Sequence, residues 1–195
     1  MLYIMRHGQT DWNVASKLQG RVDIPLNENG KAMARAARER YLDTPIDCCF
    51  CSPLGRAQET AELMLEGREI PITTEERLTE INFGICEGLV YSFEIDEGPM
   101  RDLFFRPDVF VPLEGGESLD EIEERTGAFL RDVVVPLLKE GKHVLLVGHG
   151  AMNCSMIGQI RKIPRKQFWD AMTGNCELVP FSTEEVLEAL TGEIL

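Results

Sequence analysis

The run "HVLLV" at positions 143–147 constrains the fold more than any other short stretch of this chain. Four of its five residues are large and apolar, without polar alternation, which is typical of a strand that is covered on both faces. The segments on either side, 118–141 and 148–161, are predicted to be helices. A buried strand between two helices is the repeating unit of a parallel sheet with helices packed on its faces.

Strand-like and helix-like segments alternate along the rest of the chain. Strands are predicted at 2–5, 46–51, 70–78 and 175–182, and helices at 28–41, 52–67, 118–141, 148–161 and 183–190. We expect Ser52 to cap the helix at 52–67, with Pro53 in its first position, and Pro136 to kink the last turn of the helix at 118–141. The sequence therefore predicts one α/β domain over residues 1–195, with three α/β/α layers and a mainly parallel (mixed) central sheet.

The charge of the chain argues against several classes of partner. The 195 residues include 33 acidic and 20 basic side chains, a formal net charge of −13. Such a chain is poorly suited to bind nucleic acid or an anionic membrane surface, because both need clustered Lys and Arg. No apolar run approaches the roughly 20 residues of a membrane-spanning helix, and no secretory signal pattern is recognisable. We expect a cytoplasmic protein, a monomer or homodimer, that acts on a small molecule.

Six cysteines raise the question of a metal site or disulfides, above all in "DCCFCS" at 47–52. The spacing is not CxxC and no histidine lies nearby, so buried free thiols are the favoured interpretation. In an extended strand Cys49 and Cys51 share one face, while Cys48 and Phe50 share the other. We expect no metal and no cofactor.

Three of the predicted strands end directly in cationic or imidazole side chains. The first runs into Arg6-His7-Gly8, the second into the segment 52–56 that ends in Arg56, and the strand at 143–147 into Gly148-His149-Gly150. Ligands bind at the carboxyl edge of open α/β sheets, and two of these segments also open helices, whose N-termini attract anions. Two histidines and two arginines are therefore expected around one point.

That cluster suits a dianionic phosphoryl group. Arginine offers a rigid fork that matches phosphate oxygens. One histidine must be unprotonated to attack phosphorus, whereas the other is better protonated, to stabilise charge on the equatorial oxygens. Neither an Asp-rich cluster nor a P-loop motif is present, which argues against nucleotide-triphosphate or metal-dependent chemistry. Gly8 is expected to let the backbone turn without a Cβ crowding the anion.

These residues also resemble a known family. "RHGQTDWN" is similar to the signature of the histidine phosphatase superfamily, which includes the cofactor-dependent phosphoglycerate mutases. "LQGRVDIPLNENG", "CSPLGRAQETA", "LTEINFGICEG", "EGGES" and "VLLVGHG" resemble its later motifs in the same order. One departure is Cys86, which stands where many members have Trp.

The resemblance implies roles for individual residues. His7 would become phosphohistidine, Arg6, Arg56 and His149 would bind the phosphoryl group, and Glu80 would be the general acid. Additional phosphate-binding positions implied by the resemblance are Asn13 and the Gly150 backbone N–H, with Thr10, Gln19 and Gly20 in support. Glu87 is a rival carboxylate for Glu80, and His143, Trp12 and Trp169 are interpreted as structural.

The choice within the family turns on the segment 88–116, interpreted as a lid or specificity insertion. It is acidic and aromatic, with Tyr91, Phe93, Phe104, Phe105 and Phe110, and its only basic residues are Arg101 and Arg106. A mutase is expected to carry several basic residues there. We therefore expect a metal-independent phosphatase acting on small phosphate monoesters, with a leaving group that is partly apolar. The alternatives are mutase-type phosphoryl transfer and a non-catalytic phosphate-binding or scaffold protein.

Overall fold

The computed structural model describes residues 1–91 and 100–193. The strands are β1 (Leu2–Arg6), β2 (Cys48–Cys51), β3 (Ile72–Thr74), β4 (Val144–Gly148) and β5 (Leu178–Phe181). The α-helices are α1 (Asp11–Val14), α2 (Glu28–Arg40), α3 (Gly55–Leu65), α4 (Arg101–Phe105), α5 (Leu119–Phe129), α6 (Val135–Lys139), α7 (Gly150–Arg161) and α8 (Thr183–Thr191). Short 3₁₀ helices include Glu76–Leu78 and Arg165–Ala171.

The sheet has five strands in the order β3-β2-β4-β1-β5. Strands β1, β2, β3 and β4 run parallel, and β5 pairs antiparallel with β1. The predicted mainly parallel, mixed sheet is confirmed. The apolar residues 144–147 lie in β4, the central strand, and all five residues of β4 are buried.

Each face of the sheet carries its own apolar core, which makes the three layers. One core joins Leu2 and Ile4 of β1 to apolar side chains of α5, α7 and α8. The other joins Tyr3 and Met5 of β1 to those of α2 and α3. The alternation along β1 follows from the period of two in a strand. Strand β2 obeys the same rule, because Cys49 and Cys51 are buried in the second core as expected.

Helix α3 begins later than predicted. Its first residue is Gly55 rather than Pro53, because Ser52 is still paired with the sheet through an N–H that donates to the Val147 carbonyl at 3.1 Å. The Ser52 hydroxyl accepts from the Leu54 N–H at 3.3 Å within the turn. The Asp23 carboxylate caps the helix instead, accepting from the Gly55 N–H at 2.9 Å.

Two further elements differ from the sequence prediction. Helix α1 lies in a segment expected to be loop, and a capping box between Thr10 and Asn13 defines its start. The helix at 118–141 is not simply kinked at Pro136. It contains one π-helical turn, Leu130–Val134, which ends two residues before Pro136, the residue that lacks an N–H.

The insertion at 88–116 contributes α4 and a 3₁₀ turn at Pro107–Val109. Phe104 stacks between Tyr91 and Trp169, with ring centroids 3.8 and 5.0 Å away. Phe93, which the sequence interpretation included, lies outside the described residues. Phe104 of the insertion therefore packs against Trp169 of the 3₁₀ helix Arg165–Ala171.

Candidate active site

The strand register brings the three cationic segments together. Arg6 of β1 lies opposite Gly148 of β4, and Cys51 of β2 lies opposite Val147, so the three strands end at the same level. A pocket opens at this edge. Its polar lining is formed by Arg6, His7, Asn13, Lys17, Gln19, Arg56, Glu80 and the backbone of Gly150.

His7 is held in one tautomer by its own neighbour. The side chain is buried, and Nδ1 lies 2.6 Å from the Gly8 carbonyl oxygen. Since a carbonyl only accepts, Nδ1 carries the proton and donates it, which leaves the lone pair on Nε2. Burial and the Arg56 and Arg6 guanidiniums hold the pKa of His7 well below its usual value. The neutral imidazole is the form that can act as a nucleophile.

Arg56 is fully buried and fixed from one side. Its two terminal nitrogens donate to the Val22 and Gly20 carbonyls, both at 2.8 Å, and its buried Nε has no partner among the described residues. Arg6 is arranged similarly: one terminal nitrogen donates to the Thr173 carbonyl at 3.4 Å, and Nε is unpartnered within the same part of the chain. Buried donors without partners are rare in folded proteins. Both arginines therefore retain N–H groups for an anion.

His149 lies beside His7, with ring centroids 5.2 Å apart, and is completely buried. Neither of its ring nitrogens has a hydrogen-bond partner within residues 1–91 and 100–193. Burial and the neighbouring Arg56 and His7 hold the pKa of His149 well below its usual value. Both pKa values are thus shifted in the same direction in the ligand-free protein, which favours a neutral imidazole at each position. That one of the two is protonated when a phosphoryl group is bound stays a prediction.

The Glu80 carboxylate binds the N-terminus of α7. Its Oε1 accepts from the backbone N–H groups of Ile81 and Met152, both at 2.9 Å, and Oε2 accepts from that of Ala151 at 3.2 Å. The N-termini of α7 and α3 were expected to attract the ligand, yet protein carboxylates bind the Ala151 and Met152 N–H groups of α7 and the Gly55 N–H group of α3. Oε2 accepts a single, longer bond and therefore keeps a lone pair free of the N–H groups named above.

The rival carboxylate, Glu87, is committed elsewhere. It accepts from the backbone N–H groups of Arg21, Val22 and Phe83 at 2.8, 3.0 and 3.3 Å, and it does not line the pocket. These bonds hold the loop whose carbonyls bind Arg56.

Glu117, in the "EGGES" motif, has a similar supporting position. It is buried, pairs with Arg125 at 2.6 Å, and accepts from the Asn82 N–H at 3.3 Å, close to Glu80.

The remaining candidate residues divide into two groups. Asn13 and Gln19 line the pocket, whereas Thr10 and Gly20 do not. Thr10 donates through its N–H and its hydroxyl to Asn13 Oδ1 at 3.0 and 3.1 Å, which orients the Asn13 amide. Gly20 has φ +52°, and a Cβ there would collide with the Glu87 carboxylate. Thr10 therefore holds Asn13, and the Gly20 carbonyl holds Arg56, and both of these side chains line the pocket.

Close packing against α2 requires a glycine at position 8. A Cβ on Gly8 would lie 2.6 Å from the Gly30 carbonyl oxygen, and one on Gly30 would lie 2.1 Å from the Gln9 carbonyl oxygen. The two glycines let the segment after the nucleophile cross the first turn of α2 in backbone contact. The close approach alone requires glycine at both positions, and room for the anion at Gly8 stays a prediction.

Several residues at the site were not predicted from the sequence. Lys17 and Met172 line the pocket, and so does Trp169, which was interpreted only as structural. Asn175 lies behind the pocket and donates from Nδ2 to the His7 carbonyl oxygen at 2.6 Å. The motif "NCE" after a 3₁₀ helix carries no recognisable signal for this contact, because its partner lies 168 residues away.

Other candidates take structural positions. His143 Nδ1 lies 3.2 Å from Asp47 at the opposite end of the sheet, and Cys86 is buried without lining the pocket. Trp12 packs beside Gly88 and under the Lys17 ammonium group. Within residues 1–91 and 100–193, no three His, Cys, Asp or Glu side chains are grouped as a metal site requires. No helix in those ranges has the length and apolarity to cross a bilayer.

Known proteins of similar sequence are phosphoglycerate mutases and phosphatases by name. A 2,3-bisphosphoglycerate-dependent phosphoglycerate mutase 2 of Gloeobacter violaceus is 30% identical over 205 residues, covering 100% of this chain and 90% of the relative. The uncharacterized phosphatase PhoE of Bacillus subtilis is 35% identical over 158 residues, covering 80% of this chain and 75% of its own.

Solved structures extend the likeness to the fold. A mycobacterial glucosyl-3-phosphoglycerate phosphatase in complex with VO3 matches with a TM-score of 0.79 at 30% identity, over 91% of this chain and 90% of that one. The family model for the histidine phosphatase superfamily (branch 1) matches residues 2–190. The chain belongs to the histidine phosphatase superfamily.

Proposed function

We propose that this protein is a metal-independent phosphatase that hydrolyses small-molecule phosphate monoesters through a phosphohistidine on His7. The observation that carries the proposal is the hydrogen bond of His7 Nδ1 to the Gly8 carbonyl oxygen at 2.6 Å. It leaves Nε2 with the lone pair, beside two arginines that retain unpartnered N–H groups.

The first step transfers the phosphoryl group to the enzyme. Nε2 of His7 attacks phosphorus while Arg6, Arg56, His149, Asn13 and the Gly150 N–H bind the phosphoryl oxygens. The phosphorus–oxygen bond to the leaving group breaks, and that oxygen takes a proton from Glu80. The free capacity of Glu80 Oε2 supports this role.

The second step returns the enzyme to its starting state. The Glu80 carboxylate accepts a proton from a water molecule that attacks phosphorus, the N–P bond breaks, and Nε2 of His7 recovers its lone pair. Inorganic phosphate leaves, and Glu80 is again protonated. Arg6 and the fully buried Arg56 supply the positive charge that both steps need.

Phosphoglycerate mutase activity is the second candidate, favoured by the 30% identical relative that carries that name. The described insertion supports the phosphatase instead. Its two basic residues, Arg101 and Arg106, both pair with Asp102, at 3.7 and 2.7 Å, and neither lines the pocket. The side chains expected to bind a substrate carboxylate are therefore engaged elsewhere.

A panel of phosphate monoesters, assayed for phosphate release beside isomerisation of 3-phosphoglycerate, tests the proposal. We expect phosphate release to exceed isomerisation by at least about tenfold for the best substrate, and EDTA to leave the rate unchanged. Isomerisation that exceeds release would assign the mutase reaction. No turnover of any ester between pH 5 and 8 would favour a phosphate-binding or scaffold role.

A further inference from the structure

One side of the pocket is built from aromatic rings on two separate elements. Phe104 of α4 and Trp169 of the 3₁₀ helix Arg165–Ala171 both line the pocket that contains His7. Their rings stack with centroids 5.0 Å apart and planes inclined by 20°. We refer to Phe104 and Trp169 together as the aromatic wall.

The aromatic wall is fixed from behind. The Trp169 Nε1 donates to the Leu103 carbonyl oxygen at 2.6 Å, so its single polar group is already used. Phe168 packs edge-on against the indole at 5.1 Å, and Tyr91 stacks on Phe104 at 3.8 Å. The indole therefore offers the pocket carbon surface in a fixed orientation, rather than a hydrogen-bond donor.

The pocket lining is divided by chemistry. Arg6, Arg56 and the other polar groups surround the nucleophile, as a phosphoryl group requires. The remaining lining is mostly apolar, formed by Leu18, Phe83 and Met172 together with the aromatic wall, and Lys17 is its one cation among the described residues. A phosphate monoester has two parts as well, the phosphoryl group and its leaving group.

We propose that the aromatic wall binds the leaving group, and that the preferred substrates are phosphate monoesters of alcohols that carry an aromatic ring or another flat apolar group. The inference rests on the proposed phosphatase function and adds the substrate class. Stacking on a fixed indole buries apolar surface without a large loss of side-chain entropy, which favours such esters over small polar ones.

Benzyl phosphate and ethyl phosphate test the inference, because their alcohols have similar acidity and differ in the ring. We expect kcat/KM for benzyl phosphate to exceed that for ethyl phosphate by about tenfold. In Trp169→Leu, kcat/KM for benzyl phosphate should fall about tenfold, while that for ethyl phosphate changes less than twofold. Trp169→Phe, which keeps a ring, should retain most of the preference.

Two neighbouring phenylalanines of α4 provide a matched control. Phe104→Leu should lower the benzyl preference, whereas Phe105→Leu should leave it unchanged, because Phe105 is exposed and does not line the pocket. Thermal unfolding of each variant identifies any that fail to fold.

The outcomes separate the two proposals. Efficient hydrolysis of both esters with a ratio near one, or equal losses for both in folded Trp169→Leu, would overturn the aromatic-wall assignment alone. Hydrolysis of other esters of the panel but of neither of these two would also overturn the aromatic-wall assignment alone. No turnover of any ester by the wild-type enzyme would overturn it together with the proposed function.

Discussion

At the scale of single residues, Asn175 holds the backbone of His7, the proposed nucleophile. Its amide donates to the His7 carbonyl oxygen at 2.6 Å, and the next residue, Cys176, donates its N–H to the Arg6 carbonyl oxygen at 2.8 Å. The segment after the 3₁₀ helix thus pairs with the last residue of β1 through its backbone and with His7 through the Asn175 side chain. His7 is held on both sides, since its own N–H donates to the Gly148 carbonyl oxygen at 2.9 Å.

Asn175→Ala should lower kcat about tenfold and change KM less than twofold. Losing the amide frees the backbone of His7 without removing any group that binds phosphate, and small displacements of a reacting group are costly in rate. A tenfold change corresponds to about 1.4 kcal/mol in the barrier. Asn29→Ala, at an exposed position of α2, is the control. An unchanged kcat, or a rise in KM alone, would contradict the positioning role.

Some contacts at the site could be predicted from the sequence and others could not. Strand ends carrying Arg6, His7, Arg56 and His149 were predictable, because β-strand patterns and parallel topology bring such ends to one edge. Two other contacts were not predictable: the hydrogen bonds of Glu80 to the N-terminus of α7 and the bond of Asn175 to the His7 carbonyl oxygen. Such contacts depend on how segments that are distant in sequence lie in the folded chain.

At the scale of elements, the segment after His7 crosses α2 so closely that Gly30 cannot carry a side chain without a shift of the backbone. Gly30 lies in the first turn of α2 against the Gln9 backbone, whereas at Gly158 of α7 an added Cβ would meet none of the described residues within 4 Å. Helix propensity alone would favour Ala at both positions by about 1 kcal/mol. The sequence marks Gly30 only as a poor helix former, since propensity carries no information about close approach.

We therefore expect the same substitution to have opposite effects at the two positions. Gly30→Ala should reduce the free energy of unfolding by about 1–3 kcal/mol, because backbone atoms must shift. Gly158→Ala should raise it by up to about 1 kcal/mol. Urea unfolding of both variants measures the two values. Stabilisation by Gly30→Ala would show that the close crossing does not exist in solution.

For the whole molecule, the burial of two neutral imidazoles has a consequence for acid stability. The pKa values of His7 and His149 in the folded chain lie well below those of free histidine, which in an unfolded chain is about 6.5. As pH falls below that value, the unfolded chain takes up protons that the folded chain does not. The free energy of unfolding therefore falls, by up to about 1.4 kcal/mol per pH unit for each imidazole.

The double variant His7→Gln, His149→Gln should lose that part of the pH dependence. Between pH 6.5 and 5 we expect its free energy of unfolding to fall less steeply than that of the wild type, while the contribution of carboxylates remains in both. Urea unfolding at a series of pH values gives the two slopes. Equal slopes would show that the imidazoles are not held neutral by the fold.

The central claim, that His7 forms a covalent phosphoryl intermediate, is tested most directly by quenching turnover in alkali and mapping the bound phosphate. The geometry of His7 Nε2 beside Arg6 and Arg56 predicts up to one phosphate per chain, stable in alkali and labile in acid, located on His7 and absent from His7→Ala, which should not turn over. An active enzyme whose phosphate lies on another residue, or a His7→Ala variant that retains wild-type turnover, would contradict it.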